Sequence, residues 1–353
     1  AESEEKPCAW LEETIKKMRL PWVNLIPFTE GKNKKETYDT KERVRTTYWQ
    51  ANAAVKEVSN KLALRNMAGV RKMKRVMHNM VKLAFEDESI LLGASTLRDY
   101  DDYTFSHSVN VAILALCLGN YIGLSRKSLA YLSICGMLHD LGKVEVPREI
   151  LHKPDKLNTE EWESIRKHPS NSVKQILMLQ ASHELKSRIM LGPFEHHLGF
   201  DLSGYPKTNF IQQVSLFGRI LQIVDVYDAI TSPRAYHQDT CSPPEALSHL
   251  LANAGKDFDL SLTKIFISMM GAYPPGTLLH LGTGEIALVL DYPKKGGATL
   301  PRVILLEDVG GEVKKGEVID LEETSSEKSL QRRNVLGSFH PDKYNINPAD
   351  YLL

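Results

Sequence analysis

The sequence predicts a mainly α-helical protein with a small β appendage towards its C-terminal end. Apolar residues recur every three or four positions through most of residues 41–271, which is the period of an amphipathic helix. From residue 273 onward the pattern changes to short runs rich in Leu, Ile and Val that are separated by Gly and Pro, as is typical of strands. With 353 residues, 42% of them hydrophobic and 25% charged, the chain has the composition of an ordinary globular protein of two or three domains.

These changes of pattern divide the chain into three regions. Residues 1–95 are mixed at first, with prolines that favour an extended arm or a short strand at 20–28, and then become helical. Because long paired helices often dimerise or relay signals, we expect this region to be regulatory or to form a homodimer, with signalling proteins as further partners. Residues 96–272 are predicted to form an all-helical bundle. Residues 273–353 hold predicted strands at 278–281, 284–290 and 302–306 and end in a polar, irregular tail.

Charge and cysteine content exclude several classes of protein. The 44 basic and 44 acidic side chains balance, whereas binders of duplex nucleic acid or membrane surfaces normally carry a basic excess. A small phosphate-bearing ligand is still allowed, since a few local charges are enough to bind it. The four cysteines are too few for a disulfide framework, so a cytoplasmic location is expected. The longest apolar run, around 109–118, is far shorter than the roughly 20 residues of a transmembrane helix.

Histidines and carboxylates are the informative feature of the helical region. His139 and Asp140 follow an apolar helix predicted over 130–138, and Asp225 lies inside the apolar stretch 220–230. Ionisable groups at such depth are costly unless they are hydrogen-bonded or bind a metal ion, and the residues alone leave both possibilities open. Imidazole and carboxylate without a nearby thiolate suit Fe, Mn, Co, Ni or Zn bound through N and O donors, and do not suit a structural zinc finger.

Two further histidine motifs support a metal site to different degrees. His168 stands before a proline, and a single histidine of this kind is more often a capping or core histidine than a metal ligand. His196 and His197 are adjacent, and neighbours in a helix point about 100° apart. Both can therefore reach one metal cluster only near a helix end, which the Gly and Pro residues at 192, 193 and 199 supply.

Five motifs in a fixed order resemble those of the HD superfamily of metal-dependent phosphohydrolases. The first two are Thr104-Phe-Ser-His107-Ser-Val-Asn-Val and His139-Asp140-Leu-Gly-Lys143. The other three resemble the HD-GYP branch, and they are His168-Pro169, His196-His197-Leu-Gly-Phe-Asp201-Leu-Ser-Gly204-Tyr205-Pro206, and Asp225-Val-Tyr-Asp228-Ala-Ile-Thr-Ser-Pro-Arg234-Ala-Tyr236. The resemblance covers residues 99–272, and the strands after 273 resemble the C-terminal extension of that branch.

The resemblance implies a bacterial cyclic di-GMP phosphodiesterase with two divalent metal ions, Fe or Mn in preference to other transition metals. It implies hydrolysis to linear pGpG, with GMP as a further product, by a hydroxide that the metals share. The implied ligands, all present, are His107, His139, Asp140, His168, His196, His197 and Asp225, with Asp140 as the bridge. Asp140 and Lys143 are the implied catalytic residues, and the implied substrate contacts are Lys143, Tyr205, Asp228, Arg234 and Asp101. For Asp228 a contact with a neighbouring residue is the other possibility, and for Tyr205 a purely structural loop.

Three positions depart from the pattern of the branch. Leu198 stands where Glu is usual and Leu202 where Gly is usual, so support for a ligand imidazole is expected to be weaker. Tyr103 lies one helical turn before His107, where a subset of the branch has a Glu that helps to hold a third ion. A neutral phenol is a poor ligand at pH 7, so two ions rather than three are expected.

Two alternatives to cyclic di-GMP hydrolysis stay open. The first is a low-turnover cyclic di-GMP sensor, which the two leucines favour slightly and the seven intact ligands disfavour. The second is an HD phosphohydrolase of another cyclic dinucleotide, such as cyclic GMP-AMP.

Overall fold

The computed structural model describes residues 34–97, 103–151, 153, 155–232, 240–292, 300–309, 312–324, 333–344 and 346–353. The segment predicted to be extended at 20–28 lies outside these residues. The α-helices are α1 (Lys34–Ala63), α2 (Arg71–Glu86), α3 (Glu88–Ala94), α4 (Tyr103–Tyr121), α5 (Arg126–Leu138), α6 (Arg148–Leu151), α7 (Thr159–Arg166), α8 (His168–Met178), α9 (His183–Ile189), α10 (Leu191–Glu195), α11 (Leu216–Thr231), α12 (Pro243–Ala252), α13 (Leu260–Met270), α14 (Leu321–Thr324) and α15 (Ala349–Leu352). Short 3₁₀ helices span Leu141–Glu145 and Pro341–Tyr344.

The helical bundle is built around α4 and α5. Every residue of α4 from Ser106 to Gly119 is buried, which is the pattern of a helix surrounded by others rather than lying on a surface. The two helices approach closely at Gly136, where a Cβ would lie 2.7 Å from the Cα of Ala112. Helix α11 packs against α4 as well, so the three apolar helices that carry His107, His139 and Asp225 meet in the core.

The helices before residue 97 belong to the same core. The apolar positions of α1 and α2 that the sequence pattern indicated, including Tyr48, Met73 and Met77, are buried. The hydroxyl of Tyr48 donates to the carbonyl oxygen of Leu97 at 2.9 Å, which ties α1 to the chain just before the bundle. The boundaries predicted at 95/96 and 272/273 stay a prediction.

The C-terminal strands form one antiparallel sheet. Its strands are β1 (Leu278–Leu281), β2 (Ile286–Asp291), β3 (Arg302–Val309), β4 (Glu312–Asp320) and β5 (Val335–Phe339), in the order β4-β3-β2-β1-β5. The register aligns Leu278 with Leu288 and Leu288 with Ile304, so these apolar side chains share one face. Leu279, Ala287 and Leu305 pack on the opposite face, where Leu321 covers them.

The mainly helical fold with a small C-terminal sheet is therefore confirmed, but β4 and β5 were not among the predicted strands. The final residues are not only an irregular tail, because β5 pairs with β1 along the edge of the sheet. Beyond β5 the chain returns to the bundle, where Nε2 of His340 lies 3.0 Å from the carbonyl oxygen of Thr231. Among the described helices, none has the length and apolar character needed to cross a bilayer.

Candidate metal centre

Five segments bring the predicted ligands to one place inside the bundle. Helix α4 contributes His107, the end of α5 is followed by His139 and Asp140, and α8 begins at His168. The turn after α10 supplies His196 and His197, and α11 supplies Asp225. Three overlapping groups, each with possible ligand atoms within 4.8 Å of one another, are His107–His139–Asp140, His139–His196–Asp225 and His168–His196–His197.

Asp140 lies between the two ends of this cluster. Its Oδ2 is 3.2 Å from Nε2 of His139, and its Oδ1 is 3.3 Å from Nε2 of His168. At the end of the cluster that holds His139, Oδ1 of Asp225 is 3.0 Å from Nε2 of His107 and 3.6 Å from Nε2 of His139. The carboxylate of Asp140 thus turns one oxygen towards each group of imidazoles, which is the arrangement that a bridging ligand needs.

Backbone carbonyls fix the tautomer of three of the imidazoles. Nδ1 of His139, His168 and His196 each lies 2.7 Å from the carbonyl oxygen three residues earlier. Because a carbonyl oxygen only accepts, Nδ1 carries the proton, and the lone pair of Nε2 faces the centre of the cluster. Hydrogen bonds of this kind orient metal-ligating histidines in proteins.

For His107, a carboxylate takes the place of the backbone carbonyl as the partner of Nδ1. Nδ1 of His107 lies 2.8 Å from Oδ2 of Asp228, and Oδ1 of Asp228 accepts from Nδ2 of Asn110 at 3.2 Å. Asp228 is only 1% exposed. Of the two possibilities for this residue, the structure shows the contact with a neighbour, and a contact with the substrate stays a prediction.

Burial and neighbouring charges set the protonation states. Burial lowers the pKa of His168 to about 3 and that of His197 to about 4, so both imidazoles are neutral at pH 7. Burial opposes the ionisation of Asp140, but the positive charge of the adjacent Lys143 holds its pKa well below the usual range. Neutral imidazole and ionised carboxylate are the forms that bind a metal ion.

The donors fit a divalent cation on two further observations. Among the described residues, buried Nε2 of His139 and buried Oδ1 of Asp140 make no hydrogen bond. Nε2 of His168 and Nε2 of His196, both without a proton, lie only 3.2 Å apart. Two atoms about 2.1 Å from one ion, at angles of roughly 90–110°, are about 3.0–3.4 Å from each other. The two nitrogen atoms are therefore spaced like neighbouring ligands of one metal ion.

The turn that carries His139 and Asp140 packs directly on the start of α8. Oγ of Ser172 donates to the carbonyl oxygen of His139 at 2.9 Å and accepts from the backbone N–H of Gly142 at 2.8 Å. A Cβ at Gly142 would lie 2.1 Å from the carbonyl oxygen of His168, so no larger residue fits there. This contact fixes the position of Asp140 relative to His168.

Lys143 and Tyr205 complete the cluster on its accessible side. Nζ of Lys143 lies 2.5 Å from Oδ2 of Asp140, and its side chain is 30% exposed. The ring of Tyr205 lies 4.7 Å from that of His197 and 6.2 Å from that of His168, measured between centroids. Both residues are therefore placed where a ligand entering from solvent would meet them.

Comparisons with known proteins identify the family of this chain. The family model described as HD domain matches residues 87–262. The chain belongs to the HD-GYP family. Proteins of the HD family that act on phosphoesters depend on divalent metal ions, and the histidine and aspartate groups of this HD domain are of a kind that holds them.

Several curated proteins are similar to this chain in sequence. The chain is 35% identical over 213 residues to cyclic di-GMP phosphodiesterase PA4108 of Pseudomonas aeruginosa, covering 60% of this chain and 50% of that protein. It is 30% identical over 234 residues to cyclic di-GMP phosphodiesterase PdeB of Borreliella burgdorferi, covering 66% and 59%. It is 32% identical over 168 residues to 3'3'-cGAMP-specific phosphodiesterase 1 of Vibrio cholerae, covering 45% and 38%. The chain thus spans about half the length of the curated relatives it matches.

A solved structure shows the same fold. Bd1817, an HD-GYP-type protein from Bdellovibrio bacteriovorus, superposes with a TM-score of 0.53 at 15% identity, covering 74% of this chain and 78% of that one.

The loop after His197 contains both leucines that depart from the HD-GYP pattern, Leu198 and Leu202. Leu198 is 3% exposed and pairs through its backbone with Gly204, so its side chain is a core residue. Leu202 has a φ of 65°, in the left-handed region that favours glycine. A leucine at this φ is strained where the branch usually has Gly.

Sequence reasoning missed one supporting residue of the HD domain. Glu195 is buried and accepts hydrogen bonds from the backbone N–H of Ser215, at 2.9 Å, and from its hydroxyl. It thereby ties the turn before His196 to the start of α11, the helix that carries Asp225. The sequence signal that could have pointed to Glu195 is a glutamate inside an apolar stretch, directly before two histidines.

Two predicted substrate contacts, Asp101 and Arg234, lie outside the described residues.

Proposed function

We propose that this chain is a metal-dependent phosphodiesterase that hydrolyses cyclic di-GMP to linear pGpG and onward to GMP. The observation that carries the proposal is the convergence of protonless Nε2 atoms on the two oxygens of Asp140 in a buried site. The relatives named cyclic di-GMP phosphodiesterases support the choice of substrate.

We assign two divalent ions, Fe or Mn, to the cluster, with Asp140 as their common ligand. His107, His139 and Asp225 would hold one ion, and His168, His196 and His197 the other. A pair of divalent ions, when bound, lowers the pKa of water and offsets negative charge on a phosphodiester. The ring of Tyr103 stacks on that of His107 at 5.8 Å, and its phenol supports two ions rather than three.

The side chains of the chain itself have separate roles. The ammonium group of Lys143 lies beside Asp140 and is partly exposed, so it can hold a non-bridging phosphate oxygen as a point charge. Asp228 holds the orientation of His107, and Tyr205 forms the wall of the pocket over His197. Arg234 and Asp101 are proposed substrate contacts on the resemblance alone.

Cyclic GMP-AMP is the second candidate substrate, because other relatives of this chain are named 3'3'-cGAMP-specific phosphodiesterases.

We further propose that residues 1–95 are a regulatory or dimerising region, that residues 96–272 hold the catalytic domain, and that the protein works in the cytoplasm.

The test is to purify the chain without oxygen, measure its metal content and follow both cyclic dinucleotides by chromatography. The proposal expects hydrolysis of cyclic di-GMP that is abolished, with loss of bound metal, in His139→Ala. His183→Ala is the matched control, since His183 is exposed at the start of α9. Full metal content and tight cyclic di-GMP binding without hydrolysis would favour the sensor instead. Full activity in His139→Ala would contradict the site.

A further inference from the structure

A row of aromatic and cationic side chains leads from the metal centre to the surface. The guanidinium carbon of Arg166 lies 5.8 Å from the ring centroid of Tyr205 and 5.9 Å from that of Trp162. The ring of Tyr205 in turn lies against that of His197. Trp162 and Arg166 are four residues apart in α7 and so share one face of that helix. We call Trp162, Arg166 and Tyr205 the rim ledge.

The rim ledge is not part of the apolar core. Helix α7 contributes no buried residue, and the indole of Trp162 is 46% exposed. Nearly half of the surface of this large aromatic side chain therefore faces solvent, where a ligand can reach it. The core packing of the bundle therefore does not explain this tryptophan.

The charge of Arg166 is available to a ligand. Within the part of the chain that the structure describes, no carboxylate lies within 4.0 Å of its guanidinium group. The helix itself is held in place, because Asn158 and Glu161 form a capping box and Nζ of Lys153 lies 2.8 Å from both carboxylate oxygens of Glu161. An anchored helix thus presents an unpaired cation and an exposed indole beside the metal centre.

We propose that the rim ledge is a base-stacking subsite that takes one purine of the cyclic dinucleotide while a phosphodiester lies at the metal centre. The proposal rests on the proposed function and adds two residues to it, Trp162 and Arg166. Purine bases stack on aromatic rings and on guanidinium planes, and such stacking tolerates different bases. The rim ledge therefore increases the affinity for a guanine base and for an adenine base alike.

The experiment compares two substrates in Trp162→Ala and Arg166→Ala. With cyclic di-GMP we expect KM to rise about 5- to 150-fold, the range of one lost base stack, with kcat nearly unchanged. Bis(p-nitrophenyl) phosphate is a phosphodiester without a purine, so its hydrolysis and the metal content should stay at the wild-type level. Trp162→Phe keeps a ring and should recover most of the affinity.

A second cation–π pair provides the matched control. Arg126 lies 4.6 Å from the ring of exposed Phe85. Since Arg126 begins α5 and His139 follows its other end, the pair is about 20 Å along the helix from the centre. Arg126→Ala should leave the KM of both substrates unchanged.

The possible failures are distinguishable. Wild-type KM for cyclic di-GMP in both rim variants would overturn the subsite and leave the proposed function intact. An equal loss with bis(p-nitrophenyl) phosphate, or a loss of metal, would overturn it as well, because the residues would then support the centre. A wild-type chain that hydrolyses bis(p-nitrophenyl) phosphate and neither binds nor hydrolyses cyclic di-GMP would overturn the proposed substrate, and the purine subsite with it.

Discussion

Nδ1 of His107 and Oδ2 of Asp228 lie 2.8 Å apart, although 121 residues separate them in the chain. This pair turns Nε2 of His107 towards Asp225 and Asp140. Asp228 is only 1% exposed, and we propose that it positions His107 for metal binding.

Asp228→Asn should therefore weaken metal binding without removing a ligand. The amide keeps the size of the side chain but loses the charge that supports the imidazole, a loss that typically costs about 10–100-fold in metal affinity. Competition with a chelator measures this affinity. Asp39→Asn, the same change at an exposed position, should leave it unaltered. Native affinity in Asp228→Asn would show that His107 does not depend on this contact.

A second prediction concerns Glu195, at the end of the cluster that holds His196 and His197. Glu195→Ala removes the acceptor of two hydrogen bonds from Ser215, so the unfolding free energy should fall by about 1–3 kcal/mol. The turn that carries His196 and His197 would also lose its tie to α11, and metal affinity should fall with it. Urea unfolding and chelator competition measure the two effects. Ser215→Ala keeps the backbone donor to Glu195, so its metal affinity should lie between those of the wild type and Glu195→Ala. Its stability should fall further than this contact alone implies, because Oγ of Ser215 also caps α11 by accepting from the backbone N–H of Gly218.

Lys143 should be needed for turnover and not for metal binding. Lys143→Ala removes a charge-assisted contact, which typically costs about 1.5–3 kcal/mol, or more than tenfold in rate. Metal content should remain native, because Lys143 is not a ligand. Lys127→Ala, which removes an exposed ion pair with Glu184, should change neither quantity. If Lys143→Ala lost its metal, its proposed role would be wrong.

Leu202 should be a site where glycine stabilises the fold. Its φ of 65° is unstrained for glycine and strained for leucine. Against this gain stands the greater freedom of glycine in the unfolded chain, so we expect Leu202→Gly to add about 0.5–1 kcal/mol to the unfolding free energy. Leu202→Ala keeps the strain and should give no gain. A Leu202→Gly protein less stable than Leu202→Ala would contradict this reading of the loop.

The sequence was sufficient to predict the fold class and the residues that meet in the centre. Apolar periodicity located the helices around His139 and Asp225, and the motif order indicated the other candidate ligands. Because histidines and aspartates in apolar helices need partners, their convergence could be expected before any distance was known.

Contacts between distant segments could not be predicted in the same way. No pattern links Glu195 to Ser215 or His107 to Asp228, since each pair forms only when α11 packs against its neighbours. Strands β4 and β5 were both missed, and they are the two edge strands of the sheet. Most residues of β4 are polar, and Leu336, the second residue of β5, is 66% exposed. Trp162 and Arg166 were not singled out, because a helix as polar as α7 looks like an ordinary solvated surface.

The most direct test of the central claim is a metal titration followed by activity. Chelated, metal-free protein is titrated with Mn(II) or Fe(II) without oxygen, while bound ions per chain and cyclic di-GMP hydrolysis are measured in the same samples. We predict that hydrolysis is absent from the metal-free protein, rises with added ions and saturates when two ions are bound to each chain. Hydrolysis that survives complete removal of metal, or that saturates at one or three ions per chain, would contradict the account.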